Sequence, residues 1–115
     1  MKRDCRVYLR DILQAFRNAQ QFVGRMSYEE FLSDRKTISA VVRELEIVGE
    51  ATKQLPASVR RKYPQIPWLD MAGMRDKLIH FYFGVDMEIV WETVKGRIPE
   101  LEPLIEDVLS NLGKQ

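Results

Sequence analysis

The chain has 115 residues, 45% of them hydrophobic and 30% charged, and its 18 basic and 17 acidic side chains leave a net charge of +1. That length predicts one domain, residues 1–115, with a core large enough to hold it, and the composition excludes a disordered chain. The balanced charge excludes a strongly basic nucleic-acid coat, because non-specific phosphate binding grows with Lys and Arg contacts, but it allows a compact site that grips one or two phosphates.

From the amino end, Met1 to Arg10 is too charged for a secretory signal. No stretch approaches the roughly 20 apolar residues that cross a bilayer, so a soluble, cytoplasmic protein without membrane contact is expected. Cys5, the only cysteine, excludes an internal disulfide and a thiolate zinc cluster and reads as a packing residue. Leu9, Ile12, Leu13, Phe16 and Val23 follow the three-and-four spacing of a helix that buries one stripe, and Gly24 is its stop. Ser27-Tyr28-Glu29-Glu30 has the form of a capping box, opening a short helix with Phe31 and Leu32 that ends near Asp34.

A second long helix is predicted from about Lys36 to Gln54, with Ile38, Val41, Val42, Leu45, Val48, Thr52 and Leu55 on its apolar face, widened by Ile47 and Ala51. Pro56 ends it. Ser58 to Tyr63 reads as one or two helical turns, and Pro64 and Pro67 bracket a connector, with Pro67 as the first residue of the next helix. That helix spans Trp68 to Phe83, with Met71, Met74, Leu78 and Phe81 as its stripe and Gly84 as its close. Asp86 is the N-cap of the last helical stretch. Met87, Val90, Trp91, Val94, Ile98, Leu101, Ile105, Val108 and Leu112 keep helical spacing to the end, across Gly96 and Pro99, as one kinked helix or two nearly collinear ones. No strand pattern is present. The expected architecture is all-α: a bundle of four main helices with short accessory turns.

The single histidine, His80, must carry any imidazole chemistry. It lies in Met74-Arg75-Asp76-Lys77-Leu78-Ile79-His80-Phe81-Tyr82. At about 100° per residue, Asp76 and His80 are one turn apart on one side, Arg75 and Tyr82 are roughly 20° from alignment, and His80 lies about 140° from Arg75. One helix thus carries a cation, a carboxylate, an imidazole and a phenol within two turns. A structural role competes: a lone His in a helix's last turn often only caps carbonyls or favours the negative helix end, and Arg-Asp-Lys is an ordinary solvated run. The motif has no partner carboxylate pair, no nucleophilic Ser or Cys with a base and no metal-ligand cluster, and no glycine-rich phosphate loop follows a strand.

Arg75, four residues, His80, one residue, Tyr82 resembles the Arg-x4-His-x-Tyr motif of the HEPN superfamily. Around it, Leu45-Glu46-Ile47-Val48-Gly49-Glu50-Ala51 is similar to the second-helix block of HepT-like toxins. So are Tyr63-Pro64-Gln65-Ile66-Pro67-Trp68, Ala72-Gly73-Met74-Arg75-Asp76, Phe83-Gly84-Val85-Asp86 and Ile89-Val90-Trp91-Glu92-Thr93-Val94. The resemblance runs from about Tyr8 to Leu104 with no departure at the motif positions.

This resemblance implies a HEPN-type up-and-down bundle, homodimeric, acting as a metal-independent endoribonuclease toxin of a type VII HEPN/MNT toxin–antitoxin system. Arg75 and His80 would be catalytic and Asp76 and Tyr82 supporting, with no metal or cofactor. RNA, whether tRNA or mRNA, would be the substrate. An MNT-type nucleotidyltransferase antitoxin would be the partner, and Tyr82 its target for AMP transfer. A non-catalytic helical module that offers the transferase a binding or substrate surface is the alternative. Asp76 either orients His80 or simply pairs with it. Glu46 and Glu50 either line the cleft or are surface charge, and Trp68 and Trp91 are read as core or interface aromatics rather than base-stacking platforms.

Overall fold

Short-range capping sets most helix boundaries in the computed structural model, which describes residues 4–80 and 86–113, and of Arg75 and residues 77–80 the backbone alone. In chain order the helices are α1 (Cys5–Val23), α2 (Tyr28–Leu32), α3 (Arg35–Gln54), α4 (Ala57–Lys62), α5 (Trp68–His80), α6 (Met87–Glu92), a π-helical turn (Thr93–Arg97) and α7 (Ile98–Gly113). Among the described residues there is no strand, and α1, α3, α5 and α7 are the four long helices of an all-α bundle.

The Asp4 carboxylate accepts from the Arg6 amide to start α1. Gly24, at φ +54°, stops it in the left-handed region that a residue without Cβ enters freely. The capping box at Ser27 forms as the sequence predicts: the Glu30 amide donates to Ser27 Oγ at 3.1 Å and the Ser27 amide to Glu30 Oε1 at 3.0 Å. Asp34, expected only to mark the end of α2, is instead the N-cap of α3, its carboxylate accepting from the Thr37 amide at 3.0 Å. Asp86 caps α6 through the Glu88 and Ile89 amides.

Two boundaries move by one residue. Pro67 is the residue before α5 rather than its first, because its carbonyl accepts the opening helical bond from the Met71 amide at 3.1 Å. Likewise Pro56 sits before α4, its carbonyl accepting from Val59 and Arg60, so that helix covers Ala57–Lys62. The carboxyl-terminal stripe resolves into α6 and α7 joined through the π-helical turn, where the Ile98 amide reaches back five residues to the Thr93 carbonyl. The wider turn precedes Pro99, which lacks an amide and whose ring crowds the carbonyl four residues earlier.

The core follows the stripes. Leu9, Ile12 and Phe16 of α1, Val41 and Val48 of α3, Met71 of α5, and Ile98 and Ile105 of α7 are sealed from solvent. α1 packs along α3 and α7, and α3 also packs along α5, which places α5 on the flank of the bundle. No helix among the described residues is long and apolar enough to cross a membrane.

Candidate active site

α5 carries the motif, and its amino-terminal half is pinned on three sides. Trp68 is buried and its indole Nε1 donates to the Tyr63 carbonyl at 2.9 Å, a role in the core rather than on a stacking surface. Met71 fills the space against α3. Asp70, in the first turn where a carboxylate favours the positive helix end, meets Arg97 Nη2 of the π-helical turn at 3.1 Å.

The helix runs unbroken to His80, so the backbones of Arg75 and His80 share one rigid element. Five residues separate them by about 7.5 Å along the axis and about 140° around it. The side chains of Arg75, Leu78 and His80 lie outside the described residues, as do Phe81, Tyr82 and Gly84 entirely.

Asp76 is exposed, and both its carboxylate oxygens accept from Lys53 Nζ, at 3.0 and 3.1 Å. This contact fixes the carboxylate between α3 and α5, directly beside Arg75 in sequence. Sequence reasoning missed Lys53, and no local signal marks it: residues 23 apart meet only because the two helices pack together.

The other weighed residues separate. Glu46 and Glu50 lie against Arg43, at 3.3 and 3.8 Å, as paired surface charge on α3. Trp91 packs its ring on Phe31 and Tyr28 at 5.3 and 5.7 Å between ring centres, with the Lys95 ammonium over it, and so fastens α2 to the π-helical turn and α6. Burial raises the Tyr28 phenol above its ordinary pKa, and the carboxylates of Glu88, Asp86, Glu29 and Glu92 push it the same way.

Two surface features adjoin the motif. Leu69 is 85% exposed, and Gly73, Asp76 and the His80 backbone position follow it in one helical register. On another flank, a cleft of about 230 Å³ opens between α3, α5, α6 and the π-helical turn, lined among the described residues by Leu45, Met74, Ile89, Val90 and Thr93 together with the charged Asp70, Glu92 and Arg97. Among the described residues no three His, Cys, Asp or Glu side chains group to hold a metal ion.

The comparisons with known proteins agree over most of the chain. A family model described as "Ribonuclease HepT-like" matches residues 12–108. A protein of Thermococcus cleftensis named as a candidate ribonuclease HepT is 50% identical over 106 residues, covering 92% of this chain and 96% of its own. Two proteins of Methanocaldococcus jannaschii named as candidate RNases are similar to the same extent. One is 48% identical over 99% of this chain and 98% of its own, the other 47% identical over 93% and 92%. No solved structure matches the chain significantly.

Proposed function

The chain belongs to the HepT-like ribonuclease family, and from that premise we propose that it is a metal-independent endoribonuclease, the toxin of a HEPN/MNT toxin–antitoxin pair. The observation that carries the reading is the family's match over nearly the whole chain, with Arg75 and His80 five residues apart on one continuous helix.

The chemistry needs little from the protein. RNA brings its own nucleophile, the 2′-hydroxyl, so no Ser, Cys or metal-bound water is required. His80 takes the 2′-O–H proton as the oxygen attacks the adjacent phosphorus. The guanidinium of Arg75 pairs with the non-bridging oxygens as negative charge grows there, a task its planar fork suits. The P–O5′ bond then breaks, and the departing 5′-oxygen takes a proton from a second imidazole. The products are a 2′,3′-cyclic phosphate and a free 5′-hydroxyl.

The second imidazole argues for a homodimer, because each chain holds one histidine. A second copy covering the exposed Leu69 face of α5 brings two His80 positions toward one cleft. Asp76, held by Lys53, orients the motif at the entrance.

Regulation falls to Tyr82. We assign it as the acceptor of AMP from a nucleotidyltransferase partner: its phenolic oxygen attacks the α-phosphorus of ATP, the phenolic proton is released and pyrophosphate departs. The added phosphate pairs with Arg75 while the adenosine fills the RNA cleft. The test has two parts. Purified protein incubated with RNA in EDTA yields fragments ending in cyclic phosphate, and treatment with the transferase, ATP and Mg²⁺ adds AMP mass to the Tyr82 peptide and stops cleavage. Fragments ending in a 5′-phosphate would refute the cleavage chemistry, and AMP found only elsewhere would refute the Tyr82 assignment.

A further inference from the structure

Charge is distributed unevenly along a chain that is nearly neutral overall. Residues 51–69 hold four cations, Lys53, Arg60, Arg61 and Lys62, and no acid, so the remainder carries a net charge of −3. Several cations elsewhere on the helices are neutralised by a carboxylate: Arg17 by Glu102 and Glu106, Arg43 by Glu46, Arg97 by Asp70. Among the described residues, Arg60, Arg61 and Lys62 have no such partner. Lys62 instead stands over the Tyr63 ring at 5.8 Å. Arg60 Nε and the Tyr63 hydroxyl are buried without any hydrogen-bond acceptor, which leaves donors on this short segment unsatisfied.

The segment is also tied to the motif helix at two points. Tyr63, which ends α4, accepts from Trp68 at the start of α5, and Lys53 meets Asp76 in its third turn. Trp68 precedes Arg75 by seven residues, about 10 Å of helix. A separate patch on α2 and α6 gathers carboxylates: Glu29, Asp86, Glu88 and Glu92 all act on Tyr28. A polyanion approaching this surface is repelled there and drawn to α4.

We propose that Arg60, Arg61 and Lys62 on α4 form a track for the RNA backbone, gripping phosphates beyond the scissile one and leading the strand to the Arg75–His80 helix. The inference rests on the ribonuclease reading above. Burial of the Arg60 stem holds its charge in place, while Arg61 and Lys62 stand in solvent. The track acts through phosphates alone and carries no base specificity.

The test uses a single-stranded 2′-O-methyl oligonucleotide of about a dozen nucleotides, which lacks the 2′-hydroxyl and cannot be cut, with binding followed by fluorescence anisotropy across a salt series. Arg61→Glu with Lys62→Glu is expected to weaken binding tenfold or more. It should also flatten the slope of log affinity against log salt by about 1.4, the value for two lost single-strand phosphate contacts. A control, Arg35→Glu with Lys36→Glu, makes the same charge change at the other end of α3, about 27 Å along that helix from Lys53, and is expected to leave affinity within twofold. The α4 variant should cleave a dinucleotide substrate as the unaltered protein does while its KM for long RNA rises. Unchanged affinity and slope in the α4 variant overturn the proposal, even if binding of an acidic protein is lost. So does an equal loss in the control. If the unaltered protein neither binds the oligonucleotide nor cleaves RNA, the ribonuclease reading fails first, and the track with it.

Discussion

Asp76 and Glu44 show how differently two carboxylates serve the same bundle. Asp76 lies in solvent with Lys53 at 3.0 Å, and exposed pairs of this kind contribute below about 1 kcal/mol to stability. Its proposed role is orientation of the motif. Asp76→Asn should therefore lower RNA cleavage about tenfold while the thermal midpoint stays nearly constant; a parallel loss of both would make it a structural residue only. Glu44 is the reverse, only 8% exposed and remote in sequence from the motif. One of its oxygens accepts from Asn18 Nδ2 at 2.7 Å, at the end of a chain that begins with Gln14, and the other is buried without a partner. Glu44→Gln keeps the Asn18 bond and removes a buried charge, and should stabilise the fold by about 1 kcal/mol, or about 4 °C in Tm. A melt at lower temperature would contradict this.

At the scale of the elements, the boundaries legible in the sequence are those set by neighbours a few residues apart. The Ser27 capping box, the Asp86 cap and the Gly24 stop are of this kind. Asp34 escaped because the same residue type fits the end of one helix and the start of the next, and only the direction of its side chain decides. The Thr37 amide holds the Asp34 carboxyl below its usual pKa of 3.8. The folded value is lower than the unfolded one, so this cap stabilises α3 above the unfolded pKa and is lost as pH falls through the folded one. In an NMR titration the Thr37 amide shift should move with a midpoint under 3.8; a midpoint at or above that value would mean the cap is absent in solution. The motif helix was readable from spacing alone, whereas Lys53 and the Asp70–Arg97 pair were not, because they depend on which helices cross. The π-helical turn was legible only as a disturbance at Gly96 and Pro99, since spacing cannot separate a kink from a widened turn.

For the whole molecule, one imidazole per chain goes with a motif helix on the bundle's flank whose exposed register begins at Leu69. A second copy seated there should bury on the order of 1,200 Å² or more in total. Leu69→Lys puts a charge into that contact, and light scattering should then report a monomer with cleavage largely lost; a monomeric unaltered protein at high micromolar concentration would refute the shared site. The most direct trial of the central claim is RNA cleavage in EDTA by the unaltered chain, Arg75→Ala and His80→Ala, each verified as folded by circular dichroism. Cutting by the unaltered chain and a loss of about 100-fold or more in both variants are expected, whereas a folded His80→Ala protein that still cuts RNA at the original rate would overturn the catalytic role of the motif.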